Sequence, residues 1–267
     1  MKHIKLLYLF LLISWSSLPL QAADYLLQSP NGKLTVEIET KGQLSYTLKH
    51  NSQTLLDKSP IGLLLEDKIL GEDIKISRIK RNSSVKEHIV SPHYRLPSFE
   101  VTYNELNLKF KGNYGIIFRA YNEGIAYRFY TTMKGPLIIK DEMVQMNFPK
   151  DYPTFMSYST MPTGEDQYAM AFQNLYTKSS IKGVDTNNIA FLPITIDCGN
   201  ELKMTLLESD LEDYPGMFIK GDGKNTSLQG TFAHYPSEIK NFPPRAMKRI
   251  TKRTDYIART TGERNYP

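Results

Sequence analysis

Apolar and polar residues alternate along most of this chain. Leu34, Val36 and Ile38 are interleaved with Thr35, Glu37 and Glu39, and Leu44, Tyr46 and Leu48 repeat the pattern after a Lys41-Gly42-Gln43 turn. Successive side chains of a strand point to opposite faces, so a period of two predicts strands with one face buried. Asn31-Gly32, ahead of the first of them, is a strong turn signal. The same rhythm predicts strands over 61–65, 74–81, 99–103, 107–111, 115–121, 125–132 and 137–148, with Asn122-Glu123-Gly124 closing a tight hairpin. It returns at 189–197, 202–208, 217–220, 228–235 and 255–260. Between 152 and 183 the periodicity is lost, which predicts a long covering or functional loop, and the stretch up to Pro244 reads as polar and broken by proline. No segment longer than about ten residues keeps a helical period. The expected fold class is therefore all-β, a single large sandwich rather than a set of βαβ units.

The N-terminal residues follow another pattern. Lys2 and Lys5 precede a nearly uncharged apolar run over 6–18, and the small residues Ala22 and Ala23 stand just before Asp24. This order predicts a secretory signal peptide over 1–23, cleaved after Ala23, and hence an exported, periplasmic protein. The run is short for a bilayer span, which needs about 20 residues, so no membrane anchor is expected. Losing Lys2 and Lys5 lowers the formal net charge from +5 to about +3. The basic residues that cluster are Arg245, Lys248, Arg249, Lys252 and Arg253, and they read as a solvated face, so no nucleic-acid partner is expected. Cys198 is the single cysteine, which excludes an intramolecular disulfide and a cysteine-based zinc site; it reads as a buried small hydrophobe. The single tryptophan, Trp15, lies in the signal segment, so any aromatic surface for a sugar ring must come from the 17 tyrosines and the phenylalanines.

The common catalytic signatures (GxSxG, HExxH, GxGxxG, phosphate loops) are absent from the sequence. His3, His50, His88, His93 and His234 show no metal-ligand spacing, and His88 and His93 read as exposed loop histidines. More informative is the run from Leu206 to Met217, where Glu208, Asp210, Glu212 and Asp213 fall within six residues at the end of an apolar strand. Like charges this close repel unless they are solvated or share a cation such as calcium, which takes six to eight oxygen ligands. Glu208 stands apart, because it is expected to end the strand and so to be held rigidly at the rim of the sheet. A second stretch, Phe118 to Phe129, reads as a hairpin in which Arg119 and Arg128 oppose each other or pair with carboxylates.

Together, Tyr121-Asn122-Glu123-Gly124-Ile125-Ala126-Tyr127-Arg128, the segment Glu208 to Met217 with its Asp213-Tyr214-Pro215-Gly216-Met217 ending, and Ser29-Pro30-Asn31-Gly32-Lys33-Leu34 resemble the N-terminal domain of glycoside hydrolase family 97. The resemblance spans the whole mature chain in order. It implies an exported bacterial enzyme that cleaves α-glucosides or α-galactosides with calcium. It also implies a galactose-mutarotase-like β-super-sandwich over 24–254 that packs against a catalytic (β/α)8 barrel and lends its active site a calcium-binding glutamate. Glu208 best matches that ligand, with Glu212 as the alternative register. Residues 255–267 would begin the connection to the barrel, which this chain does not include. The family's catalytic carboxylates lie in the barrel, so no catalytic residue is carried over.

The expectation is thus a carbohydrate-binding domain, inactive alone, that serves α-linked oligosaccharides with a barrel in cis or in trans. The chain would be a fragment, a truncated product or half of a split protein. A stand-alone sugar-binding module is the alternative. A mutarotase-type epimerase would need a histidine acid facing a carboxylate base, with His88, His93 or His234 as candidates.

Overall fold

The computed structural model describes residues 24–91, 95–160, 166–169, 173–242 and 247–267. The signal-peptide expectation for 1–23, His93 and Arg245 lie outside the described residues. Among those described, the chain forms 18 strands and one short 3-10 turn at Gln167–Ala169. No helix among them is long and apolar enough to cross a membrane.

The order of pairing is simple at the start. β1 (Tyr25–Gln28), β2 (Leu34–Glu39), β3 (Ser45–His50) and β4 (Gln53–Leu65) form an antiparallel meander, and β5 (Ile69–Leu70) folds back on the end of β4. A second meander, β6 (Ile76–Val90), β7 (Ser98–Phe110) and β8 (Tyr114–Tyr121), leads into β9 (Ile125–Asn147). β9 serves both layers: residues 125–131 pair with β8, and 139–147 pair with β4. Beyond β9 the sheet continues through β15 (Ser227–Phe232), β14 (Met217–Gly221), β12 (Ala190–Asp197), β10 (Pro153–Tyr158) and β11 (Thr177–Ser180). β18 (Ala258–Asn265) pairs along the middle of β9, while β16 (Pro236–Phe242) and β17 (Met247–Arg253) form a separate hairpin.

The core is where the two meanders face each other, with β1 and β2 against β7 and β8. Val36, Ile38, Leu44, Ile61 and Leu63 meet Leu106, Leu108, Ile116 and Phe118, all at or near zero exposure. Each such side chain contributes about 1.5–3 kcal/mol relative to leaving it in water, and the period-two pattern of the sequence is what delivers them to one face. At Gly115 on β8 the flanking strands leave so little room that a Cβ would lie 2.5 Å from both the Leu108 carbonyl oxygen on β7 and the Tyr130 hydroxyl on β9. Only glycine fits there.

Several expectations need correcting. The breaks anticipated at 104–106 and 133–136 do not interrupt β7 or β9. β9 passes through Met133-Lys134-Gly135-Pro136 because β18 accommodates the irregularity with a register shift between Thr261 and Glu263. The anticipated loop over 152–183 contains β10 and β11, whose alternation is hidden by Ser and Thr on buried positions such as Thr154 and Ser157. The polar stretch to Pro244 includes β16. The strand expected over 255–260 is present as β18, which starts at Ala258 and runs on to Asn265, and Tyr266 after it is 1% exposed.

Candidate functional site

β13 (Lys203–Leu206) and β14 lie end to end along one edge of β12: Leu206 pairs with Ile194 and Phe218 with Phe191. Between them the chain leaves the sheet at Leu207 and rejoins it at Met217, so the acidic run is an excursion from an otherwise continuous edge. Glu208 lies two residues beyond the strand rather than at its end. Its side chain nevertheless turns back, and Oε2 accepts a 2.7 Å hydrogen bond from the Met217 backbone N–H. The carboxylate thus closes the excursion at its base.

The four acidic side chains do not share one focus. Asp210 pairs with Arg128 at 2.6 Å, and it and Asp213 adopt positive φ of 58° and 50°, which turns the loop sharply. Glu212 and Asp213 are exposed, and Arg264 donates to the Glu212 backbone carbonyl. Among the described residues no group of three or more His, Cys, Asp or Glu side chains is arranged to hold a metal ion. Glu208 is the member of the run whose carboxyl lines a cavity of about 450 Å³; Glu212 does not line it.

That cavity opens between the acidic excursion and the Asn122–Gly124 turn, with Leu34, Leu48, Leu55, Leu56, Val144 and Met146 as apolar wall. Further polar groups of its lining come from β3 and β9. Glu142 on β9 accepts a 3.0 Å hydrogen bond at Oε2 from the Tyr214 hydroxyl. Tyr214 is itself buried, edge-on to Phe232 and Tyr266, with ring centroids 6.4 and 5.7 Å away. Glu142 therefore fixes the Asp-Tyr-Pro-Gly end of the excursion to the sheet. Tyr46 on β3 and Tyr127 on β9 stand side by side, ring centroids 5.7 Å apart, and both line the cavity.

Burial dominates the electrostatics. Loss of water pushes the Glu142 carboxyl up to about 8, with the negative neighbours Glu208 and Asp141 adding to the rise and the Tyr214 hydroxyl opposing it. Desolvation also raises Glu208, against the Met217 N–H that stabilises its charge. Tyr127 is held well above the usual phenol range by burial and by the nearby carboxylates.

Sequence reasoning singled out Glu208 but passed over Glu142, Tyr46 and Tyr127. The signal was present in the phase of the strands. Glu142 falls on the same parity as Val144, Met146 and Phe148, and Tyr127 on that of Phe129, so each is a polar-tipped residue placed on a buried face. Other candidates lie elsewhere. Arg119 and Arg128 do not oppose each other; Arg119 pairs with Glu105 at 2.9 Å. His88 is on β6, not in a loop, 2.5 Å from Glu100, and the His234 ring lies 3.0 Å from the Thr254 carbonyl. Cys198 is buried, its thiol pushed up to about 11 by desolvation.

Comparison with known proteins gives one answer. The family model described as glycosyl-hydrolase 97 N-terminal matches residues 27–261. A retaining alpha-galactosidase of Bacteroides thetaiotaomicron is 34% identical over 271 residues, which take in 98% of this chain and 40% of that protein. A glycoside hydrolase family 97 enzyme from Pseudoalteromonas sp. strain K8, solved with acarbose, superposes with a TM-score of 0.70 at 16% identity, covering 91% of this chain and 34% of that one. A beta-arabinopyranosidase superposes with a TM-score of 0.75 at 17% identity, over 91% and 39%. The chain spans 40% of the curated relative it matches, and at their low identities the solved structures speak for the fold. By the extent of the family match, the chain belongs to the glycosyl-hydrolase 97 N-terminal family.

Proposed function

We propose that this chain is the carbohydrate-binding N-terminal domain of an exported α-glycoside hydrolase, and that Glu208 is a calcium ligand it supplies to the active site of a partner barrel, in cis or in trans. The substrate class is an α-linked oligosaccharide of galacto or gluco configuration. Residues 1–23 act as the export signal, and the working compartment is the periplasm.

The observation that carries this reading is the orientation of Glu208. It alone of the acidic run lines the cavity, with Oε2 anchored by the Met217 N–H. A carboxylate held this way suits a hard cation. With no group of three ligating side chains among the described residues, the remaining oxygens of a calcium site come from the partner. Calcium bound there supplies positive charge next to a sugar hydroxyl or glycosidic oxygen. The chain's own part is to hold Glu208 still: Met217 fixes the carboxyl, and the Tyr214–Glu142 hydrogen bond ties down the loop that carries it.

Glycoside hydrolysis requires two opposed carboxyl groups at a defined separation, and the proposal assigns that pair to the barrel. Aryl α-galactosides and α-glucosides offered to the purified chain with calcium should show no turnover above buffer. Robust turnover would overturn the division of labour and turn attention to Glu142 and Glu208 as an acid–base pair.

A further inference from the structure

We propose that the cavity of Tyr46, Tyr127 and Glu142 is itself a binding site for one neutral pyranose unit, so that the sandwich holds a sugar with its own residues. The inference rests on the reading above only in choosing a pyranose over other polyols. Three features of the cavity carry it.

The first is size. About 450 Å³ falls in the range of small-molecule sites, and strands β3, β4 and β9 line it together with the acidic excursion and the Asn122–Gly124 turn. The second is hydrogen-bonding capacity that the chain itself does not use. Tyr46 is only 6% exposed and Tyr127 is half-buried, yet neither hydroxyl has a partner among the described residues. Neither is among the buried atoms left without a partner, so each hydroxyl keeps open surface, and both residues line the cavity. Glu142 adds a third such group, because its hydrogen bond with Tyr214 uses Oε2 and leaves Oε1 open.

The third feature is the match of chemistry. A pyranose offers hydroxyls that both donate and accept, together with C–H faces that pack on apolar and aromatic walls. Tyrosine hydroxyls do both as well, and a carboxyl that stays protonated near neutral pH does the same. Leu48, Leu55, Val144 and Met146 supply the apolar wall. At Tyr46, Tyr127 and Glu142 a cation is the weaker match, since two phenol hydroxyls bring no charge and burial disfavours the Glu142 carboxylate. A wholly apolar ligand would leave all three polar groups unpaired, which is costly.

The test is isothermal titration of the full chain, in chelator, with methyl α-galactoside and methyl α-glucoside, glycerol serving as the control polyol. Saturable binding of at least one glycoside and none of glycerol is expected. Tyr127→Phe and Glu142→Gln should each weaken it about tenfold, the loss of roughly one hydrogen bond. Tyr46→Phe provides the same readout should either of those fail to unfold cooperatively. No saturable binding, or binding that these variants leave unchanged, overturns the proposal. Calcium titration of the same protein separates the two readings. If calcium binds through Glu208 but no sugar binds, this inference fails alone. If a glycoside binds while Glu208→Gln has no effect on calcium, the calcium role fails alone.

Discussion

Glu142→Gln isolates the electrostatic cost of building a carboxyl into a sandwich wall. Glu142 titrates near 8 in the folded chain, against about 4.5 for an ordinary glutamate. Its folded value lies above its unfolded one, so the group is neutral in both states below about pH 4.5 and costs nothing there. As pH rises, the unfolded chain releases the proton and the folded chain keeps it, and stability falls until about pH 8. Each pH unit of that interval is worth about 1.4 kcal/mol, a ceiling of about 5 kcal/mol. Because the carboxyl borders a cavity wide enough for water, about 2–3 kcal/mol is the expected fall. The groups facing Glu142 are Tyr214, Glu208, Asp141 on its own strand, and Tyr127. Glu208 and Asp141 are also raised by burial and act with the same sign. Asp222, lowered to about 2 by its hydrogen bonds, has the opposite sign but acts below pH 4. Glutamine keeps the acceptor for Tyr214 and removes the proton. Urea unfolding in chelator at pH 5 to 9 should therefore show wild type losing stability with rising pH, and Glu142→Gln losing at least about 2 kcal/mol less. A wild type whose stability is flat or rises across this range, or a variant with the same fall as wild type, would refute the reasoning.

Tyr214→Phe removes the hydroxyl that bonds Glu142 and leaves a buried carboxyl half-satisfied, so urea unfolding at pH 6 should show a loss of about 1–3 kcal/mol. Two glycines should behave oppositely. Gly115→Ala places a Cβ 2.5 Å from the Leu108 carbonyl and the Tyr130 hydroxyl, and should cost about 2 kcal/mol or more in the same assay. Gly216→Ala sits beside Glu208 but meets its Oε2 at an ordinary 3.7 Å, and should change stability by less than about 0.5 kcal/mol.

What the sequence discloses about this fold depends on which faces the strands bury. Strands with one dry face, such as β2 and β3, announce themselves through Leu34, Val36 and Ile38 or Leu44, Tyr46 and Leu48. β10 buries Thr154 and Ser157 along with Met156, and β16 is polar, so neither has the contrast a period-two reading needs. Bulges mislead in the other direction: Gly135 and Pro136 look like a turn, but a shift in the partner strand carries β9 straight through.

The site divides in the same way. Glu208 is visible because it belongs to a local motif, and its separation from Glu212 emerges only when the excursion folds back on Met217. Glu142 and Tyr214 are 72 residues apart and meet through β9 and the acidic excursion. Tyr46 and Tyr127 meet across β3 and β9 in the same manner. Such groups are legible one at a time, as polar tips on buried parities, but their convergence on a single cavity is a property of the folded sheet order.

The central claim is that Glu208 presents its carboxylate to calcium, and calorimetric calcium titration of the full chain tests it most directly. Weak saturable binding is expected in wild type, retained in Glu212→Gln and abolished in Glu208→Gln, with all three proteins unfolding cooperatively. Calcium binding that survives Glu208→Gln, or that is lost with Glu212 instead, would contradict it.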